Sequence, residues 1–209
     1  AENEITFAHL NKIPFRQQLN QRLTELINYE KIGTPSKKHG KYYFFKNDGL
    51  QNQSVLYTKE TLDATPEVLL DPNTLSDDGT VALDKISFSN DGRYLGYTIS
   101  RKGSDWKEIF VIDLETRQHL NDHILWAKFT GIQWHGNGFY YSAYDAPVEG
   151  KEFSNVNENH KIYYHRLGTP QNEDVLIYQN PEYPRRFYSC SVSDDEEVMF
   201  IYESGAHNG

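Results

Sequence analysis

Apolar positions along this chain change period once, near residue 28. Before that point Phe15, Leu19, Leu23, Leu26 and Ile27 fall at helical spacing behind Pro14, with Arg16, Gln18, Asn20 and Arg22 mostly around them. A proline in the first turn and a single apolar stripe predict an amphipathic helix, and such a stripe must bury against a partner surface. Residues 2–12 predict a shorter helix or helical turn ahead of it. No later stretch carries a convincing helical pattern.

From Tyr29 onward the pattern is strand, turn, strand. A Gly-containing turn followed by an aromatic-rich strand occurs at His39-Gly40 before Tyr42-Tyr43-Phe44-Phe45. It recurs at Asn90-Asp91-Gly92 before Tyr94-Leu95-Gly96-Tyr97 and at Gly136-Asn137-Gly138 before Phe139-Tyr140-Tyr141. A weaker copy runs from Asp194-Asp195-Glu196-Glu197 into Val198-Met199-Phe200. A second strand element follows each of the first three, at Ser54-Val55-Leu56-Tyr57, Glu108-Ile109-Phe110-Val111-Ile112-Asp113 and Lys161-Ile162-Tyr163-Tyr164-His165. An irregular repeat of roughly 50 residues with turn–strand pairs inside each unit is the signature of a propeller blade.

The expected fold is therefore all-β: a partial β-propeller of about three and a half blades, preceded by a short helical N-terminal segment. The expected boundaries are 1–28 for the helical segment and 29–209 for the blades. So few blades cannot close a ring, so the chain is expected to be a piece of a longer protein. Asp77-Asp78-Gly79 and Asp91-Gly92 read as hairpin turns, where glycine supplies the positive φ; the first of them lacks the ligand spacing of a calcium loop.

Composition narrows the partners. With 21 Lys and Arg against 30 Asp and Glu, the formal charge of −9 argues against nucleic acid or an anionic membrane surface. The 15 tyrosines and 14% aromatic content suit many short, half-buried strands. Apolar runs such as Val68-Leu69-Leu70 fall far short of the roughly 18 residues of a membrane span. The N-terminus is polar and acidic, unlike a signal peptide. Cys190 is the single cysteine, so neither an internal disulfide nor a thiolate zinc cluster can form, and within its strand pattern it reads as a small buried hydrophobe.

Catalytic patterns are missing. Lys102-Gly103-Ser104-Asp105 and Glu203-Ser204-Gly205 both fail the Gly-x-Ser-x-Gly elbow of a hydrolase nucleophile. The 8 histidines show no metal spacing, and His135 and His165, at strand ends, read as structural. No Gly-rich loop opens a helix, so no nucleotide, cofactor or metal is expected.

Several stretches, in order, carry a family likeness: Arg22-Leu23-Thr24-Glu25-Leu26 with Tyr29-Glu30-Lys31, and Asn47-Asp48-Gly49-Leu50-Gln51-Asn52-Gln53-Ser54-Val55-Leu56-Tyr57. Leu70-Asp71-Pro72-Asn73, the run from Leu75 to Leu83, Gly103-Ser104-Asp105-Trp106 and Tyr163-Tyr164-His165-Arg166-Leu167-Gly168-Thr169 continue it. Together they resemble prolyl oligopeptidases proper, rather than the oligopeptidase B or acylaminoacyl peptidase groups. The resemblance implies a cytoplasmic or periplasmic serine endopeptidase that cuts short peptides after proline, with catalytic Ser, Asp and His downstream of residue 209. On that pattern residues 1–28 belong to the N-terminal extension of an α/β-hydrolase domain. Residues 29–209 are then blades one to three and the start of blade four of seven. The implied partners are short proline-containing peptides and the hydrolase domain, with the propeller excluding folded proteins. The chain by itself is expected to be inactive.

The resemblance also implies site residues. Phe129 matches the position where the family places an aromatic against the substrate's distal pocket; a plain core phenylalanine at the start of the next blade is the other reading. Asp105 and Trp106 follow a Gly-Ser turn, where an exposed indole beside a charge suggests an interdomain contact, against ordinary blade packing. Residues 145–160 resemble the loop that borders the active-site entrance. A reading from another class also stands: a non-catalytic propeller that binds a protein or peptide partner. A downstream Gly-x-Ser-x-Gly decides for the peptidase, a stop after Gly209 for the binding module. Open strand edges and uncovered blade faces seek partners, so the isolated chain should self-associate in sedimentation experiments or be proteolytically labile; a stable monodisperse monomer contradicts this.

Overall fold

In a computed structural model the described residues are 2–151 and 156–205. The N-terminal periodicity gives α1 (Glu2–Leu10) and α2 (Arg16–Ile27). Phe15 takes the N-cap position of α2, so Pro14 stands just outside the helix. The apolar stripe is uncovered: Phe15, Leu19, Leu23, Leu26 and Ile27 are between 51% and 59% exposed.

The chain divides into two compact units, Ala1–Thr74 and Leu75–Gly209. The first holds β1 (Lys31–Ile32), β2 (Ser36–Lys38), β3 (Lys41–Asn47), β4 (Val55–Lys59) and β5 (Glu67–Leu70) in one sheet ordered β1-β3-β4-β5, with β2 also on β3. His39 and Gly40, both at positive φ, make the two-residue turn between β2 and β3 that matches strand twist. The polar run after β3 is a loop with a defined anchor. The Asn73 side-chain amide accepts from the Gln53 N–H at 2.9 Å and donates to the Gln53 carbonyl at 2.9 Å, imitating a neighbouring strand.

The second unit contains β6 (Val81–Phe88), β7 (Tyr94–Arg101), β8 (Lys107–Asp113) and β9 (Gln118–Ala127), paired antiparallel in sequence order. A second four-stranded array follows: β10 (Gln133–His135), β11 (Gly138–Ala143), β12 (Lys161–Arg166) and β13 (Val175–Gln179). The two arrays meet at one backbone pair, Ala127 with Ala143. β14 (Phe187–Val192) and β15 (Met199–Ser204) form a further hairpin. The fold is that of an all-β partial propeller behind two helices. The sequence repeat marks the second and third strands of each blade. The inner and outer strands lie in stretches it leaves unassigned. One turn differs from expectation: Asp77-Asp78-Gly79 leads into β6 from outside the sheet rather than joining two paired strands, and Asp78 accepts from the Thr80 N–H at 3.0 Å.

The core of the second unit lies between consecutive blades. Ile109, Val111 and Ile124 from one meet Trp134, Phe139 and Tyr141 from the next. Polar groups are paired across the same seam. The Trp134 indole donates to the Ser87 carbonyl at 3.1 Å, the Ser87 hydroxyl to Ile132 at 3.0 Å, and Lys85 to the Thr130 carbonyl at 2.9 Å. Gly138 has no room for a side chain, since a Cβ there would lie 2.1 Å from the His165 carbonyl oxygen.

One turn is built twice. Ser89 and Ser193 each accept from a backbone N–H five residues on, and Gly92 and Glu196 occupy the equivalent left-handed position at φ 73° and 60°. Outside glycine that conformation costs about 1–2 kcal/mol. Glu196 offsets it by accepting from the Gly136 N–H at 2.6 Å and from the Asn90 amide at 2.7 Å, so one carboxylate ties the first turns of three successive blades.

A buried charge pins the outer strands. His165 on β12 is fully buried between two carboxylates, with Nε2 2.9 Å from Asp122 and Nδ1 2.6 Å from Asp174. The Gly168 N–H also donates to Asp122 at 2.7 Å and the Tyr141 hydroxyl to Asp174 at 2.7 Å. Burial opposes the imidazolium, but hydrogen bonds to Asp122 and Asp174 outweigh it and hold the His165 pKa up at about 9. Burial pushes the Asp122 carboxyl up, and hydrogen bonds from His165 and the Gly168 N–H reverse this to a net lowering.

The sign of the pH dependence follows. A histidine raised above its ordinary 6.5 contributes stability that is complete below that value and lost as pH climbs through about 9. Asp122, lowered, contributes above the ordinary 3.8 and loses that contribution as pH falls below it. Urea midpoints measured across pH should therefore fall on the alkaline side near pH 9 in the native chain. His165→Gln, which strands two buried carboxylates, should cost about 3–5 kcal/mol at neutral pH and abolish that alkaline loss.

Candidate functional site

The connection from β9 to β10 runs along one end of the second unit, and the sequence-selected residues collect around it. It is held to the end of β11 by backbone bonds, Lys128 N–H to Ser142 at 3.2 Å and Tyr144 N–H to Trp126 at 3.4 Å. The Ser142 N–H also donates to the Thr130 hydroxyl at 2.7 Å. Phe129 stands out from this connection, 52% exposed, so it is a surface aromatic and not a core residue. Its ring tilts against Phe187 at 5.3 Å and meets the edge of His160 at 6.2 Å.

Trp106, at the turn into β8, is half-buried rather than exposed. It makes edge-to-face contacts with Trp126 at 5.5 Å and Tyr144 at 6.1 Å, the arrangement favoured by ring quadrupoles. Asp105 is open to solvent, its side chain 79% exposed.

Lys128 draws the three together. Its side chain is 10% exposed, and its ammonium sits 4.8 Å from the Trp106 ring centroid, 5.5 Å from that of Phe129 and 3.8 Å from the Asp105 carboxylate. A cation desolvated between two aromatic faces gains about 2 kcal/mol, more than an exposed ion pair supplies. Lys128 thus fixes the spacing between the indole and the exposed phenyl ring.

Backbone strain concentrates in the same place. Trp126, Phe129 and Asn159 are non-glycine residues at φ 60°, 52° and 61°. For bulky residues the left-handed region is rarely occupied, and such outliers cluster where a surface is shaped for a task.

His160 sits beneath. It is fully buried; its Nε2 donates to the Lys128 carbonyl at 2.8 Å and its Nδ1 accepts from the Tyr188 N–H at 2.9 Å. The bond accepted at Nδ1 requires a neutral ring, and burial pushes its pKa below 6.5 although the Lys128 carbonyl opposes this. Burial likewise raises the Tyr144 phenol and lifts the Cys190 thiol to about 11, so Cys190, packed beside Ile162 and Tyr188, is held as an unreactive thiol. Lys161 pairs with Asp145 at the mouth of the loop that follows β11. Within that loop, 152–155 lie outside the described residues. Among the described residues no group of three His, Cys, Asp or Glu could hold a metal ion.

The side chains assembled here can stack on apolar groups and place one cation and one carboxylate beside them. They include no nucleophile with a paired base. Sequence reading picked Asp105, Trp106 and Phe129 but not Lys128 and His160. The available signal was local: a lysine wedged between Ala127 and Phe129 in an otherwise apolar link, and a histidine immediately before a strand.

The model of the prolyl oligopeptidase N-terminal β-propeller domain matches residues 1–208. The chain belongs to this family. It is 47% identical over 210 residues to a prolyl endopeptidase of Elizabethkingia meningoseptica, covering 100% of this chain and 30% of that protein. It is 31% identical over 226 residues to a dual function macrocyclase-peptidase of Galerina marginata, covering 97% of this chain and 31% of the relative. Among solved structures, prolyl oligopeptidase B of Galerina marginata bound to a 25mer macrocyclization substrate aligns with a TM-score of 0.87 at 29% identity, over 96% of this chain and 31% of that one. The chain thus spans about 30% of the length of these prolyl oligopeptidase relatives.

Lys128→Met keeps the length of the side chain and removes the charge. It should cost about 1–2 kcal/mol in urea denaturation and change the Trp106 contribution to emission, and an unaltered midpoint would show that the cation does not organise the rings.

Proposed function

We propose that this chain is the substrate-admitting propeller portion of a proline-specific serine endopeptidase whose bond-breaking groups reside on an α/β-hydrolase domain. The observation that carries this reading is the family match across residues 1–208. The relative of known structure bound to a 25mer supports a peptide as the substrate class.

Residues 1–28 serve in this reading as the extension that packs on the hydrolase domain. Their exposed stripe, Phe15 to Ile27, supports it, because an uncovered apolar helix face needs a partner. Residues 29–209 form the blades. Phe129 meets an apolar side chain of the peptide away from the scissile bond, and Asp105 and Trp106 lie at the seam with the hydrolase domain. The propeller selects by size and by this contact, and water is excluded when the two domains close. The compartment is cytoplasmic or periplasmic in the same reading.

Phe129→Ala in the full-length protein should raise KM for apolar-flanked prolyl peptides about tenfold, the value of one lost aromatic contact, and leave kcat nearly unchanged. Peptides too short to reach Phe129 should show no change. A fall in kcat with KM constant for both substrates would refute the assigned contact.

A further inference from the structure

Two backbone segments at the Phe129 face are hydrogen-bonded to one imidazole. The β9–β10 connection offers the Lys128 carbonyl, and β14 offers the Tyr188 N–H. His160 lies between them, hydrogen-bonded to both and fully buried, with its Nε2 as donor and Nδ1 as acceptor. The two residues of the aromatic pair, exposed Phe129 and half-buried Phe187, directly follow Lys128 and precede Tyr188. The spacing of those rings is therefore set by the imidazole bridge.

We infer that His160 is a positioning residue that holds the Phe129–Phe187 pair in register, and that protonating its Nδ1 releases the β14 side of that pair. A proton on Nδ1 converts the acceptor into a second donor facing the Tyr188 N–H, so two donors would oppose each other in a buried site. Among the described residues, the remaining groups around the ring do not supply a counter-charge. The Tyr144 ring, just after β11, lies 4.5 Å from the imidazole, and the Tyr188 ring on β14 stacks on it at 6.4 Å. The Lys128 ammonium is directed to Trp106 and Asp105, Lys161 is paired with Asp145, and Arg185 with Glu158 at 3.5 Å. The contrast with His165 is chemical: there two carboxylates receive the charged ring, and here an amide N–H facing Nδ1 requires the neutral one.

Burial lowers the His160 pKa from 6.5, so the folded chain binds this proton less readily than the unfolded one. The bridge's contribution is complete above pH 6.5 and declines as pH falls below that value. This is the opposite direction to the His165 pin.

The inference rests on the reading that this face meets the peptide, and the test separates the two. Place 4-fluorophenylalanine at Phe129 in the full-length protein and follow its fluorine resonance from about pH 8 to about pH 5. One titration step with a midpoint below the ordinary histidine value of 6.5 is expected, and it should vanish in His160→Gln, which keeps a donor near the Lys128 carbonyl. His160→Asn, which keeps an acceptor on the Tyr188 side, serves if the first variant does not fold. In the native protein, nitrogen NMR should report His160 as the Nε2–H tautomer at pH 7.5. An Nδ1–H tautomer, a flat native titration, or a step that survives in the folded variant overturns the inference. In parallel, peptide KM should rise about fivefold across the same step, the fold-change of one hydrogen bond. If the fluorine step depends on His160 while KM does not follow it, the inference stands and the peptide-contact reading fails.

Discussion

The outer half of the larger unit depends on a charge kept away from water. His165, with Asp122 and Asp174 on its two nitrogens, ties the outer strand of one blade to the third strand and outer turn of the next. Among the described residues the strands of the two blades pair directly at Ala127 with Ala143, and Trp134, Ser87 and Lys85 add hydrogen bonds nearer the inner strands. Apolar packing between them is extensive but non-directional, so it favours contact without choosing the angle. Hydrogen bonds at both ring nitrogens choose it, because an imidazolium offers two fixed donor directions. Removing either partner would leave buried charge uncompensated, which is why such a pin constrains geometry more strongly than it adds to stability.

With the blade angle set, the opposite ends of the unit can specialise. At one end Glu196 gathers the turns of three blades with neutral donors and a left-handed backbone. At the other, Lys128 and His160 organise an aromatic surface from a crossover and two loops. Both ends use one polar side chain to bridge segments far apart in sequence. They differ in exposure: the Glu196 clasp faces solvent, whereas His160 is sealed in, so only the second responds to pH through a change in the protonation of a buried ring.

How much of this was legible beforehand depended on the range of the interaction. Blade periodicity was readable because turns and aromatic strands are local, and the likeness across Asn47–Tyr57 and Leu75–Leu83 gave the family. The strands at 133–135 and 118–127 escaped because they are short or polar, and their pairing comes from neighbours rather than from their own pattern. Phe129 was picked through resemblance, and Asp105 and Trp106 through a Gly-Ser turn that sets an indole beside a charge. Lys128, which brings them together, needed the third dimension: nothing in Ala127-Lys128-Phe129 says that the ammonium points at an indole 22 positions earlier (128 − 106 = 22). His165 and His160 look alike as strand-end histidines, and only their partners, carboxylates for one and backbone groups for the other, give them opposite protonation states.

The Gln53–Asn73 clip has a counterpart in the larger unit. The Gln171 side chain accepts from the Leu125 N–H at 2.9 Å and donates to its carbonyl at 2.9 Å, occupying both groups on the outward edge of β9. The two residues are 46 apart in sequence, against 20 for the earlier clip. On a growing chain, β9 is thus finished well before its cover arrives. At about 5–20 residues per second, its edge stays open for roughly two to nine seconds of synthesis. The finished protein presents a guarded rim, but its own assembly includes an interval in which that rim is bare, and the length of the interval is written into the distance between Leu125 and Gln171.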